Sequence, residues 1–216
     1  MKNKKSVIIA TALIAVCLFA GILIIHNTQS KNEYTLESIH NEYVQSDNSI
    51  VATVNGADIT SKQVCLVKYS YHTNNAVDKA IEQTAIVQLA KQSGFSLNKS
   101  DLDKETKYIE SAYESLNLPN SEDNLKFKEE LKRNHLEMAT SIKFQEQIKT
   151  QISEQSFSCD NEKINKKYDK YKKVYNEWEN GGKESKRLYN KAWSLRKDIA
   201  QDYIDYMIKQ FKIEKY

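Results

Sequence analysis

The most apolar stretch of the chain comes first. Residues 6–25, "SVIIATALIAVCLFAGILII", carry no charged side chain. At about 1.5 Å per helical residue such a run spans roughly 30 Å, the thickness of a bilayer's hydrocarbon core. Lys2, Lys4 and Lys5 precede it. That basic flank holds residues 1–5 in the cytoplasm and puts everything after His26 outside. The run is read as a retained transmembrane anchor. Two alternatives stay open. A cleaved signal has a shorter apolar core and a small-residue cleavage site, and Leu18-Phe19-Ala20 is a poor one. A lipidated Cys17 would need a lipobox, and "IAVC" fits one only loosely.

Beyond the anchor the pattern changes three times. Residues 26–49 are polar with weak periodicity and read as a stalk, with a turn or two of helix around Leu36–Tyr43. "SIVATV" then alternates with period two, Asn55-Gly56 is a strong two-residue hairpin turn, and "ADIT" is a short return strand. From Ser61 onward the pattern is helical, with Thr60 or Ser61 as the cap of a first helix over Ser61–Tyr71.

A second helix follows, with Val77, Ile81, Ala85 and Leu89 every four residues. Ala80, Ile86 and Val87 widen its apolar face, and Gly94 stops it. Ser100 and Asp103 have the spacing of a capping box for the next helix. Its stripe is Leu102, Thr106, Ile109, Tyr113 and Leu116. A turn over residues 117–121 holds Pro119, the chain's one proline. Residues 122–155 read as one helix of roughly 50 Å. A single small core cannot cover that length, so an arm or strut is expected. After "SFSCDN" come helices over residues 162–179 and 183–212, separated by Gly181-Gly182.

Composition supports this mainly α reading. Five glycines and one proline among 216 residues leave few backbone breakers. All 29 acidic residues lie beyond position 25, and 29 of the 32 basic ones do too, so the outer part is formally neutral. That balance gives no support to nucleic-acid binding. Cys65 and Cys159 have no motif spacing. Outside the cell they allow a disulfide, but two separate buried thiols are the preferred reading.

Chemistry-bearing motifs are few. The histidines, His26, His40, His72 and His135, show no zinc-ligand spacing, and His135 reads as a core or boundary histidine. GxSxG, CxxC and phosphate-cradling glycine loops do not occur. No cofactor and no metal is expected, and the chain does not read as an enzyme.

Aromatic residues form the clearest constellation. Tyr168, Tyr171, Tyr175 and Trp178 fall at steps of three, four and three, on one face of one helix. Trp193 and Tyr189 lie on the last helix. These rings either zip the two helices into a core or line a surface that binds polypeptide. The candidate client-binding residues are Tyr168, Tyr171, Tyr175, Trp178 and Trp193. Lys163, Lys166, Lys167, Lys170, Lys172 and Lys173 interleave them, only partly offset by Glu162 and Asp169. A solvated face is the default for such lysines. Contact with anionic lipid or envelope polymer is the alternative.

The opening "VATVNGADITSKQV", the segment "AIEQTAIVQLAKQSGFSLNKSDLDKETKYI", the helix "FKEELKRNHLEMATSIKFQEQI" and the closing "IAQDYIDYMIKQFKIEKY" together resemble the N-terminal domain of SurA/PrsA-type extracytoplasmic foldases. The resemblance covers residues 50–152 and 200–216. It implies a helical chaperone domain over residues 50–216, with a long arm helix and a closing C-terminal helix that returns to the N-terminal part. In that family a parvulin isomerase domain often sits between those two helices. Here residues 154–200 are too few for one and hold no histidine. The resemblance therefore implies a membrane-anchored holdase for unfolded or partly folded exported polypeptides, without isomerase activity. A dedicated envelope interaction module on the same fold is the other reading.

Overall fold

The computed structural model describes residues 34–181 and 185–216. The 6–25 run, and with it the expected anchor, lies outside the described residues. Among the described helices none is long and apolar enough to cross a membrane.

The described chain is mainly helical, with a small antiparallel sheet. In order it forms α1 (Leu36–Gln45), β1 (Ile50–Val54), β2 (Ala57–Thr60), α2 (Ser61–Tyr71), α3 (Ala76–Gln92) and α4 (Lys99–Glu114). Then come α5 (Glu122–Ser153), α6 (Glu162–Glu179), α7 (Ser185–Ile208) and β3 (Ile213–Lys215).

The sheet begins from Asn55-Gly56. Both residues have positive φ, 48° and 78°, which turns β1 into β2 with the twist a hairpin requires. Thr60 ends β2 and caps α2, its side chain accepting from the Gln63 N–H at 3.3 Å. The far edge of β1 is filled by β3, giving the order β2-β1-β3. Val54 lies opposite Ile213 and Ala52 opposite Lys215. The last helix was expected to run to Lys212; it stops at Ile208 instead. Phe211 then packs beneath the sheet, and residues 213–215 satisfy backbone groups of β1 that would otherwise form an open edge.

Helix ends follow local chemistry. Gly94, at φ 71°, stops α3. The Phe95 N–H reaches the Ala90 carbonyl at 2.9 Å and the Gly94 N–H reaches Lys91 at 3.0 Å, the paired bonds of a Schellman stop. The cap of α4 is Asn98 and not Ser100. Asn98 Oδ1 accepts from the Asp101 N–H at 2.9 Å, and its amide donates to the Asp101 carboxylate at 2.8 Å. The reciprocal box therefore sits two residues earlier than Ser100–Asp103.

Two larger corrections concern packing. Residues 36–45, expected within the stalk, form a helix of the body: Ile39 is fully buried and Tyr43 is 2% exposed. Tyr43 tilts against Phe127 of α5 with ring centroids 5.0 Å apart. Helix α5, expected as an arm or a strut, does not project as an arm: it is buried at intervals over its whole length, from Asn124 to Ile152. It lies across two apolar clusters and not one. Phe127 and Leu131 belong to a cluster with Ile39, Tyr43, Leu66 and Ile109. Phe144, Ile148 and Ile152 belong to another with α3, α6 and α7. A third cluster, Val54, Ile59, Val67, Ala80 and Ile81 among others, seals the sheet onto α2 and α3. Helix α3 serves two of these clusters, which is why it is apolar on more than one side. The long helix gains its burial by joining two of them.

Candidate functional site: the α6–α7 hairpin

The hairpin starts at Asn161, whose Oδ1 accepts from the N–H groups of Lys163 and Ile164 at 3.1 and 3.2 Å. This cap fixes the helical phase. Ile164, Tyr168, Tyr171 and Val174 then turn inward and are buried. Leu188, Ala192, Ile199, Ala200 and Ile204 of α7 meet them. The ion pair between Lys167 and Asp202 ties the helices together at their α3 end.

The rings form a continuous ladder. Phe157 packs edge-on against Tyr168 at 5.3 Å; Tyr168 and Tyr171 stack at 6.3 Å. Tyr171 meets Tyr175 at 5.6 Å, Tyr175 meets Trp178 at 5.4 Å, and Trp178 meets Tyr189 of α7 at 5.5 Å. Burial falls along the ladder. Tyr171 is 2% exposed and Tyr168 is buried, Tyr175 and Trp178 are half-buried, and Tyr189 is 39% exposed. Trp193, four residues on, is 43% exposed and carries the Lys197 ammonium 4.6 Å over its ring. Burial, and then the Glu179 carboxylate, push the Tyr175 phenol up to about 12.

Of the five candidate residues, Tyr168 and Tyr171 are therefore core and offer no surface. Tyr175 and Trp178 are partly covered, and Trp193 is open. Tyr189 was not among the candidates. Its position four residues before Trp193 was the available signal, since residues that far apart share a helix face.

Helix α7 runs antiparallel to α5. Arg196 donates to Ser153 Oγ at 3.0 Å near the end of α5, and Gln201 faces Ser141, Ile142 and Gln145 further back. Gln155 donates to Asn176 at 3.2 Å. Trp178, Tyr189 and Trp193, which fall between Asn176 and Arg196, thus lie past the last turn of α5. A ring-bearing projection has the chemistry to bind apolar polypeptide segments. The aromatic faces supply contact area, and phenol and indole groups supply hydrogen bonds.

A concavity lies between α2, α3, α5 and α7. It encloses about 240 Å³ and is lined by Tyr71, Lys79, Glu82, Gln83, Ser141 and Gln145, among others. Lys79 and Glu82 pair there at 2.5 Å. Gln83, 1% exposed, donates to Asn134 Oδ1 at 3.0 Å, and Asn134 donates to Ser70 at 2.8 Å. Nearby, burial raises the Glu137 carboxyl above its ordinary value. No motif announces this network, because its members come from three helices and meet only through packing.

The other singled-out residues have local explanations. His135 is buried, lies 2.9 Å from Glu105 and stacks on Tyr108. Cys65 and Cys159 are free thiols. Cys65 sits in the α1–α2–α5 cluster and Cys159 in the α5–α6 connection. Among the described residues no three His, Cys, Asp or Glu side chains gather as a metal site.

Compared with known proteins, the chain matches no family model, no curated protein and no solved structure.

Proposed function

We propose that this chain is a membrane-anchored extracytoplasmic holdase. It binds unfolded or partly folded polypeptides through the projecting end of the α6–α7 hairpin and performs no isomerisation. One observation carries the reading: Tyr189 and Trp193 are exposed at 39% and 43%, on a hairpin extension that continues a buried ring ladder. A rigid base of that kind presents rings without the entropic cost of ordering them on contact. The resemblance of residues 50–152 and 200–216 to SurA/PrsA-type domains points the same way, and so does the 6–25 apolar run. An anchor there keeps the domain near emerging chains and raises effective concentration without new contacts.

The full-length chain in phospholipid nanodiscs is expected to suppress aggregation of several unrelated unfolded proteins at stoichiometric ratios. A Trp193→Ala variant weakens this effect with its melting midpoint nearly unchanged, because Trp193 lies outside the ring ladder. No suppression with any client defeats the reading.

A second reading, a dedicated interaction module for one envelope partner, is favoured by a different observation. Helix α5 is a packed spine and provides no cradle wall, so the exposed ring surface is small. Affinity capture separates the two. A single stoichiometric partner supports the module; a broad set of exported proteins supports the holdase.

A further inference from the structure

The outer face of α6 has no role in the ring ladder. Lys163, Lys166, Lys170 and Lys173 all point outward, at steps of three, four and three. At 3.6 residues per turn they fall within about 80° of one another, on the side away from Ile164, Tyr168 and Tyr171. Lys166 pairs only with the exposed Glu162 of its own first turn, at 2.6 Å. Among the described residues no carboxylate pairs with Lys163, Lys170 or Lys173.

This ridge is the centre of a larger asymmetry. The described hairpin, residues 162–181 and 185–208, holds eleven basic and seven acidic side chains, a net of +4. The rest of the described chain holds 16 basic and 20 acidic ones, a net of −4. A formally neutral domain is thus a charge dipole, with its positive end on the hairpin. The same hairpin exposes Tyr189 and, beside Lys197, Trp193, the pairing of amphipathic ring and basic side chain that suits a membrane–water boundary.

We propose that the lysine ridge of α6 docks the hairpin on an anionic lipid bilayer, orienting the domain with its acidic body away from the membrane. The charge complementarity selects the occupant. Each Lys near an anionic surface adds attraction within about a Debye length, and a body of opposite sign is repelled by that same surface. The proposal rests on the anchor reading only for proximity, and its determinant is the lysine ridge of α6, which the polypeptide-holding reading does not use.

The two tryptophans of the chain, Trp178 and Trp193, both lie on the hairpin, so intrinsic fluorescence reports its position. Full-length protein is placed in phosphatidylcholine vesicles carrying a headgroup spin label, with or without phosphatidylglycerol. Quenching is expected to be severalfold stronger in the anionic vesicles. It should fall to the neutral-vesicle level in about 1 M salt, where the Debye length shrinks to about 3 Å. A Lys163→Gln/Lys166→Gln/Lys170→Gln/Lys173→Gln variant, on exposed positions that leave the melting midpoint in place, should show the neutral-vesicle level throughout. Quenching that ignores lipid charge, no quenching in either vesicle, or a variant that behaves as the parent would each overturn the proposal. So would a fluorescence response to soluble polyglutamate with none to phosphatidylglycerol, which would make the occupant an acidic polypeptide. Aggregation suppression measured in neutral vesicles tests the holding activity separately. Release of the chain by alkaline carbonate would remove the anchor reading while leaving the lipid-charge comparison intact.

Discussion

Trp178 of α6 and Tyr189 of α7 face each other across the hairpin end with ring centroids 5.5 Å apart and planes inclined by 55°. This contact closes the ladder, so Trp178 is structural while Trp193, beyond it, is not. Trp178→Ala should cost about 2–4 kcal/mol, somewhat below the range for a fully buried aromatic. Trp193→Ala should cost under about 1 kcal/mol. Urea denaturation of the two variants checks the ordering; equal losses would refute it.

The Tyr168 hydroxyl is buried and has no hydrogen-bond partner in the protein. Removing an unsatisfied buried group relieves desolvation without losing a bond. Tyr168→Phe is therefore expected to stabilise the fold by about 0.5–1 kcal/mol. A destabilisation of similar size would mean that the hydroxyl is satisfied in solution.

The two described thiols should react differently. Burial pushes the Cys65 thiol up to about 12, whereas Cys159 is half-exposed in a connecting segment. With an aromatic disulfide reagent at neutral pH, Cys159 should react at least about a hundredfold faster, because only an accessible thiolate attacks. A mass shift located on Cys65 in the native protein would contradict this packing.

Glu137 gives a pH dependence with a defined sign. Burial raises its carboxyl above the ordinary 4.5, partly opposed by Arg133, Gln83 and Lys91. A raised carboxyl binds its proton more tightly folded than unfolded. Its contribution is therefore fully present below about 4.5 and is lost as pH rises through the folded value. Glu137→Gln should raise the melting midpoint at pH 7, and the difference should vanish near pH 4. A stabilisation that is the same at both pH values would exclude charge burial as its cause.

Asn55 and Lys212 exchange two bonds. The Asn55 N–H donates to the Lys212 carbonyl at 2.8 Å, and the Lys212 N–H donates to Asn55 Oδ1 at 2.9 Å. Asn55→Gly keeps the positive φ but loses the side-chain acceptor, and should cost about 1 kcal/mol. Asn55→Ala should cost more, because it also strains the turn. Chemical denaturation of the two variants tests the order.

What the sequence disclosed was local. The Asn55-Gly56 turn, the bounds of α2, the stop at Gly94 and the bounds of α6 each follow from a few neighbouring residues, and the structure has all of them. The mainly helical class was readable from scarce glycine and proline. What stayed hidden depends on distant partners. Nothing near Tyr43 says that Phe127 will pack on it, and nothing near Ile213 says that β1 lacks a neighbour. The periodicity of α5 marked apolar positions but not how many clusters they would join. The ring stripe of α6 shows the same limit. Its spacing assigned four rings to one face, but which of them stay open depends on where α7 begins and ends its cover. The cap at Asn98 was a local miss: an Asx side chain two residues upstream outcompeted the Ser100 hydroxyl.

The sheet order β2-β1-β3 carries a consequence for how the molecule comes into being. The central strand is made early and waits unpaired on one side while some 160 further residues are synthesised. A ribosome or a translocation pore therefore delivers a sheet with one raw edge until residue 215 has cleared the exit. Residues 213–215 act as a latch, and a chain lacking them would leave that side of the central strand unable to shut.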